Sequence, residues 1–269
     1  MKVFFYVNTA KDDADGTHRA LSAALAGNGL CEAESAGDAD VVVALGGDGT
    51  ILDAVRFAPG KPVAGFNIGS LGYLASVERR DFGKALAMLA KGKYRISPRT
   101  VLECSRQDAP AAAPVRALND VVLMRERSGH PATIDVAVDG RRAATYFADG
   151  LIVATPTGST AYSLSAGGPV LMPDSASFVI TPLNPHALAV RPIVVGDGVS
   201  ISAVPRRRAD GRGAAIAVYA DGRDAMSLEP DSALCIRKSA LCAQLVEFDG
   251  YDPYRVLSRK LGWPGKIQR

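Results

Sequence analysis

Five apolar residues in a row, Val41-Val42-Val43-Ala44-Leu45, run without a break into Gly46-Gly47-Asp48-Gly49-Thr50. A strand with no polar position on either side must be covered on both faces. That is the pattern of a strand inside a parallel sheet, not of a half-solvated antiparallel one. The glycines allow a tight turn, and the residues over roughly 50–57 have helical spacing. Strand, glycine turn and helix make one step of an α/β winding, and the flanking segments repeat it. Val3-Phe4-Phe5-Tyr6-Val7 is another β-type run, and 17–27 is an Ala/Leu-rich helix that stops near Gly27 and Gly29. Pro62 to Phe66 is a further strand and 81–91 an amphipathic helix. This alternation predicts a doubly wound parallel sheet for the first ninety-odd residues.

The texture changes after Pro98. Short alternating segments follow at Val101–Cys104, Ala117–Met124, Thr133–Val138 and Ala144–Phe147, with Asp139-Gly140 as a hairpin signal. Further segments near 178–181, 193–195, 199–204, 214–219 and 234–237 continue the pattern, so this part is expected to be mostly β and antiparallel. Tyr254 to Leu261 has helical character again. The expected organisation is an α/β domain over 1–97, a β-rich domain over 98–252, and a segment 253–269 that packs back on the first domain.

Composition narrows the function. Net charge is 31 − 28 = +3, too small for a nucleic-acid surface, which shows a clustered basic face. The one basic run, Arg206-Arg207-Arg208, sits beside Pro205 and Asp210-Gly211 and reads as a solvated loop. Cys31, Cys104, Cys235 and Cys242 have no Cys-x-x-Cys spacing, so they are expected to be buried free thiols in a reducing compartment. No apolar stretch is long enough to cross a bilayer. The Val3–Val7 run, broken by Asn8, is too short for a secretory leader. The cytoplasm is the expected compartment.

Three segments carry chemistry. In Gly46 to Thr50, glycines admit close backbone approach, and a helix N-terminus favours phosphate. Gly46, Gly47, Gly49 and Thr50 are therefore the candidates for the phosphate donor. An aspartate in such a turn would repel phosphate unless it has a task of its own. Accepting the proton of an attacking hydroxyl, or helping to hold Mg²⁺, is such a task, so Asp48 is the catalytic candidate. The segment lacks the Gly-Lys-Ser/Thr of a P-loop and the Gly-x-Gly-x-x-Gly of a dinucleotide fold. The second segment, Asp149 to Gly168, ends a strand in a loop dense in hydroxyls and glycines, with Tyr162 as its one aromatic face. Such a loop suits an adenine and a ribose. In the third, Asn119-Asp120 interrupts the apolar strand Leu118 to Val122. A buried polar pair needs partners, and ribose hydroxyls would serve.

With these motifs the chain resembles the NAD kinase family, in particular its bacterial branch, from residue 41 to the end. Gly46 to Thr50 is similar to the family's signature, whose aspartate, here Asp48, is taken as the proton acceptor. Gly65-Phe66-Asn67-Ile68-Gly69-Ser70-Leu71-Gly72-Tyr73-Leu74 resembles the next family segment. Asn119-Asp120 falls on the pair that holds NAD, and Asp149 to Gly168 resembles the longest motif. Pro185-His186-Ala187-Leu188 with Arg191-Pro192, and Leu257 to Trp263, look like bacterial members too. The resemblance implies that Asp48, Gly49, Asn119, Asp120, Asp149 and the stretch Thr160, Ala161, Tyr162, Ser163, Leu164, Ser165 contact NAD. His130 joins them, at a place where some relatives have a ligand-contacting histidine. It also implies two domains with the active site in their cleft, ATP with Mg²⁺ or another divalent cation, and a homo-oligomer, dimer or tetramer. No residue is assigned to the metal. Neither nucleic acid nor membrane is expected as a partner.

Two positions depart from the family pattern: Phe147 where a basic residue is usual, and Arg223 where Gln is usual. Both belong to the nicotinamide half in the family picture, and NAD remains the expected acceptor. The rival readings are a lipid kinase of the diacylglycerol or sphingosine type, which shares the Gly-Gly-Asp-Gly element, a phosphofructokinase, and a nucleotide-binding regulator without catalysis. The lipid kinase should lack the Asp149–Gly168 segment. The phosphofructokinase needs an Arg and His cluster for its sugar phosphate. The regulator would not need Asp48, Asn119 and Asp120 together.

Overall fold

The computed structural model describes residues 1–10, 13–69, 72–75, 77–109, 112–126, 130–207 and 215–262. Ser70, Leu71, Arg208, Asp210, Gly211 and Trp263 of the segments above lie outside the described residues. The chain divides into two units, one of Met1–Pro98 with Ala243–Arg269, the other of Arg99–Cys242.

The first unit is built on a seven-stranded sheet. Its order is Cys31–Glu32, Lys2–Val7, Val41–Gly46, Pro62–Asn67, Ala243–Phe248 and Tyr94–Arg99, with Val77–Glu78 pairing beside Pro62–Asn67. Lys2–Val7, Val41–Gly46 and Pro62–Asn67 pair in parallel. All six residues of the Val41–Gly46 strand are buried, and its side chains alternate between two apolar layers. Val41, Val43 and Leu45 pack with Leu21 and Leu25 of helix Ala14–Leu25 and with Phe82, Leu86 and Leu89 of helix Phe82–Ala90. Val42 and Ala44 pack with Ile51 and Ala54 of helix Asp48–Phe57. Helices on both faces are the physical reason the strand has no polar position.

The Ala243–Phe248 strand corrects the expected boundary at 252. The chain re-enters the first unit at Ala243, and Gln244 and Leu245 pair in parallel with Pro62 and Val63. Gln244 and Glu247 give this strand the look of the antiparallel region before it, and its partner lies some 180 residues upstream, so no local pattern marks it. The terminal helix Pro253–Leu261 is locally specified. The Asp252 carboxylate accepts the N–H groups of Tyr254 and Arg255, Pro253 opens the first turn, and Gly262 closes the helix in the left-handed region.

The second unit holds two six-stranded sheets, and their strands pair antiparallel among the described residues. One runs Arg141–Ala148, Ala132–Val138, Ile201–Pro205, Leu234–Lys238, Leu102–Arg106, Val115–Ala117. The other runs Ile193–Gly196, Ser177–Leu183, Gly150–Ala154, Asp120–Arg125, Ile216–Ala220, Arg223–Leu228. Leu102, Ile134, Ile201 and Ile236 of the first meet Leu123, Leu151, Phe178 and Val218 of the second in one core. The far face of the second sheet is also apolar. Val122, Ile152 and Val179 there pack with Ala166 and Leu171.

The expected single strand Ala117–Met124 is two strands. Val115–Ala117 belongs to one sheet and Asp120–Arg125 to the other, and the chain changes sheets at Leu118-Asn119. Asn119-Asp120 therefore does not interrupt a strand. It marks a crossing. The cysteine expectation also needs correction: Cys104 is buried, and burial pushes its thiol up to about 12. Cys31 and Cys242 are exposed. Arg206 pairs with Asp135 at 2.7 Å and Arg207 with Asp231 at 3.5 Å.

Candidate functional site

In the first unit, Asp48 is the first residue of its helix, with Gly47 as the cap. Its carboxylate is held by a neighbouring loop. Oδ2 accepts the Tyr73 N–H at 2.7 Å, and Oδ1 accepts those of Leu74 and Ala75, both at 3.0 Å. The loop comes this close because residue 72 has no side chain: a Cβ on Gly72 would stand 1.8 Å from Oδ1. A carboxylate offers about four acceptor positions. Three are taken, which fixes the group in one orientation and leaves Oδ2 with one more bond to accept. The Tyr73 hydroxyl is raised above its ordinary range by burial and then by the Asp48 charge, and the Lys260 ammonium lies 5.6 Å from its ring centre. Thr50 is buried. Its hydroxyl accepts the Gly47 N–H and the Asn8 side-chain amide, both at 3.3 Å. The Thr50 hydroxyl thus builds the turn.

In the second unit the crossing at Leu118-Asn119 is organised by a residue that sequence reasoning missed. Asp221 and Gly222, both at positive φ, form the hairpin turn between Ile216–Ala220 and Arg223–Leu228. The Asp221 carboxylate accepts the backbone N–H groups of Leu118 at 2.9 Å, Asn119 at 2.7 Å and Asp120 at 3.4 Å. The Asp221 N–H donates to the Asp120 carbonyl at 3.1 Å. The only local signal was the Asp-Gly pair. On the other side, Thr155 donates its N–H to the Asn119 carbonyl at 2.9 Å and its hydroxyl to the Leu118 carbonyl at 2.6 Å. Gly158 lies so close that a Cβ there would be 2.0 Å from the Asn119 carbonyl oxygen.

Two polar side chains stand at this clamp. Asn119 Oδ1 is buried and has no hydrogen-bond partner among the described residues. Asp120 is 5% exposed, and burial, then the Asp221 charge, pushes its carboxyl up to about 7. Beside them stands the expected loop, as a short 3₁₀ turn Gly158–Thr160 and a single helical turn Tyr162–Ser165. Its residues divide by exposure. Ser163 is fully buried, with its hydroxyl on Thr181 at 2.9 Å. Ser159 is spent on Pro156 and Leu171, and Thr160 on Thr157. Thr160, Ala161 and Leu164 are half-buried, whereas Ser165 and Tyr162 are exposed, Tyr162 by 43%.

Asp149 and His130 are not at this end. Gly150 pairs with Met124 and Ala154 with Asp120, so Asp149 is separated from Thr155 by the length of a strand, about 20 Å. Its carboxylate is held by Asn184 at 3.1 Å and Arg125 at 2.7 Å, which keep it below the usual carboxylate range. His130 is exposed and follows the Arg125 end of its strand, and Phe147 and His186 stand edge to face nearby, their ring centres 6.4 Å apart. The sequence candidates of this unit thus form two groups.

The N-terminal domain model of the ATP-NAD kinases matches residues 28–94 and the C-terminal domain model residues 118–248. The chain belongs to the ATP-NAD kinase family. It is 38% identical over 230 residues to the NAD kinase of Syntrophotalea carbinolica, covering 84% of this chain and 79% of that one. It is 40% identical over 228 residues to the NAD kinase of Symbiobacterium thermophilum, covering 84% and 79%. The structure of an NAD kinase from Archaeoglobus fulgidus in complex with ATP superposes with a TM-score of 0.78 at 28% identity, covering 98% and 99% of the two chains. Yeast NADH kinase complexed with NADH, 22% identical, shares the fold with a TM-score of 0.89, covering 100% and 89%.

Proposed function

We propose that the chain transfers the γ-phosphoryl group of ATP to the 2′-hydroxyl of the adenosine ribose of NAD, giving NADP. The carrying observation is the polar pair Asn119-Asp120, clamped by Asp221, with Asp120 buried and the buried Asn119 Oδ1 short of a partner among the described residues. Ribose hydroxyls are groups that donate and accept at once, which matches an unpartnered acceptor beside a carboxyl. Tyr162 supplies an exposed aromatic face for the adenine.

In the transfer, the 2′-oxygen bonds to the γ-phosphorus, the bond to the bridging oxygen of the β-phosphate breaks, and ADP leaves. The hydroxyl proton passes to Asp48 Oδ2, whose orientation the Tyr73–Ala75 N–H groups fix. Gly46, Gly47 and Gly49 present backbone to the donor phosphates. Mg²⁺ bound with the nucleotide would neutralise charge on the β- and γ-oxygens. That ion would be held mainly by the phosphates and water, since the one acceptor position left on Asp48 goes to the hydroxyl proton.

NAD is the acceptor in this reading. The cytoplasm, a homo-oligomer, and the absence of nucleic-acid or membrane partners belong to the same proposal. No described helix is long and apolar enough to cross a membrane. Phe147 and Leu188, 43% and 95% exposed, offer apolar surface to a second copy. The lipid-kinase reading is not favoured, since the Asp149–Gly168 segment it should lack is present.

The test is incubation with NAD and Mg²⁺-ATP and detection of NADP by a coupled dehydrogenase. Absence of NADP overturns the proposal. A higher kcat/KM for NADH than for NAD overturns the choice of acceptor.

A further inference from the structure

A cavity of about 400 Å³ in the first unit is lined by Asn67, Gly69, Glu78, Arg79, Arg80 and Arg259. Its position follows from the sheet. Gly46 is the register partner of Asn67, and Asn67 is the register partner of Glu78. The three residues form a row across neighbouring strand ends, roughly 10 Å from first to last at the usual strand spacing. These are the carboxyl ends of parallel strands, where ligands of open α/β sheets bind. The row begins at the glycine turn that carries Asp48.

The lining carries three guanidiniums and one carboxylate, +3 − 1 = +2. Glu78 is shared, by Arg80 and Arg259 at 3.0 Å each. Arg79 is steadied by Asp13 and by the Thr17 hydroxyl. Each guanidinium has five N–H donors, so these contacts orient the three groups and use only part of their capacity. Arg79 has Asp13 and Arg80 also meets Asp81 at 3.6 Å, both outside the lining, but Arg80 and Arg259 share the one carboxylate within it, and their planar forks suit phosphate oxygens. We infer that this cavity holds the phosphoanhydride chain of the phosphoryl donor, with Arg79, Arg80 and Arg259 as its binding residues. The inference rests on the kinase reading and adds which side chains, beyond the glycine turn, take the donor.

The probe is inorganic tripolyphosphate, which has the phosphoanhydride chain without the nucleoside. It is titrated calorimetrically into the full chain and into the double variant Arg80→Gln/Arg259→Gln. Exposed ion pairs contribute little to stability, so the variant should keep its melting temperature within a few degrees. Expected are tripolyphosphate binding weakened by about tenfold or more, KM for ATP raised by a similar factor, and KM for NAD changed less than about twofold. Tripolyphosphate should compete with ATP. Equal tripolyphosphate affinity in parent and variant overturns the inference, and so does tripolyphosphate that binds without displacing ATP. A parent protein that forms no NADP overturns the kinase reading instead. The calorimetric titration, which needs no turnover, still decides whether the arginines hold a phosphoanhydride chain.

Discussion

The Asp221 carboxylate accepts the backbone N–H of Asn119 at 2.7 Å, across 102 residues of sequence. With its bonds to Leu118 and Asp120 it fixes where the chain passes from one sheet to the other, and so where the Asn119 side chain starts. Asp221→Ala strips an ionised acceptor from three N–H groups. Hydrogen bonds to charged groups contribute about 1.5–3 kcal/mol each and are not additive. The variant is expected to lose about 2–4 kcal/mol of stability and to bind NAD at least about tenfold more weakly. Urea denaturation and calorimetry measure the two losses. Full NAD affinity in a folded variant would show that the clamp does not position Asn119.

Asp120 gives a pH dependence with a defined sign. Its folded carboxyl sits at about 7 against an ordinary 3.8, from burial and then the Asp221 charge. Between those values the native chain keeps a proton that the unfolded chain has released. The contribution is therefore present in full below about 4 and is lost as pH rises through about 7. Stability measured at pH 5 and pH 8 should fall more in the parent than in Asp120→Asn, by on the order of a few kcal/mol. Equal differences in the two proteins would show that Asp120 does not titrate in this range.

Asp48→Asn is isosteric but not neutral. An amide offers one acceptor oxygen where the carboxylate offers two, and its NH₂ would face an N–H of Tyr73, Leu74 or Ala75. A stability loss of about 1–3 kcal/mol is expected, with a fall in kcat of about 10² or more from the missing base. The loss sits towards the low end of general-base effects if the proton leaves late in a loose transition state. Melting curves and steady-state rates on the same preparation separate the two effects. Turnover near the parental rate removes Asp48 as the proton acceptor.

Tyr162, with its ring 43% exposed, contributes little to the core. Tyr162→Ala is expected to weaken NAD binding by about 1–3 kcal/mol if the adenine stacks on it, with a melting temperature within a few degrees of the parent. Unchanged NAD affinity by calorimetry would take Tyr162 out of the site.

Much of the first unit was legible because its instructions are local. A short unbroken apolar run with β-branched residues reads as a strand covered on both faces, and the glycine turn after it leads into residues of helical spacing. The Asp48 turn, Asn119-Asp120 and the Tyr162 loop stood out as candidates for the same reason, as dense runs of unusual residue types. What the sequence could not express was distance. The Ala243–Phe248 strand pairs in parallel with residues some 180 positions upstream, and parallel partners leave no hairpin signal between them. Asp221 is an ordinary turn residue until the fold brings its carboxylate to three N–H groups a hundred residues away. Asp149 sits in the same motif as Tyr162, yet a strand's extended rise carries it about 20 Å from Thr155. Residue types and their order determined the family, the two kinds of layer and the chemistry on offer. Only tertiary structure decided which groups meet, because hydrogen bonds and burial act through space and the chain's own spacing does not record them.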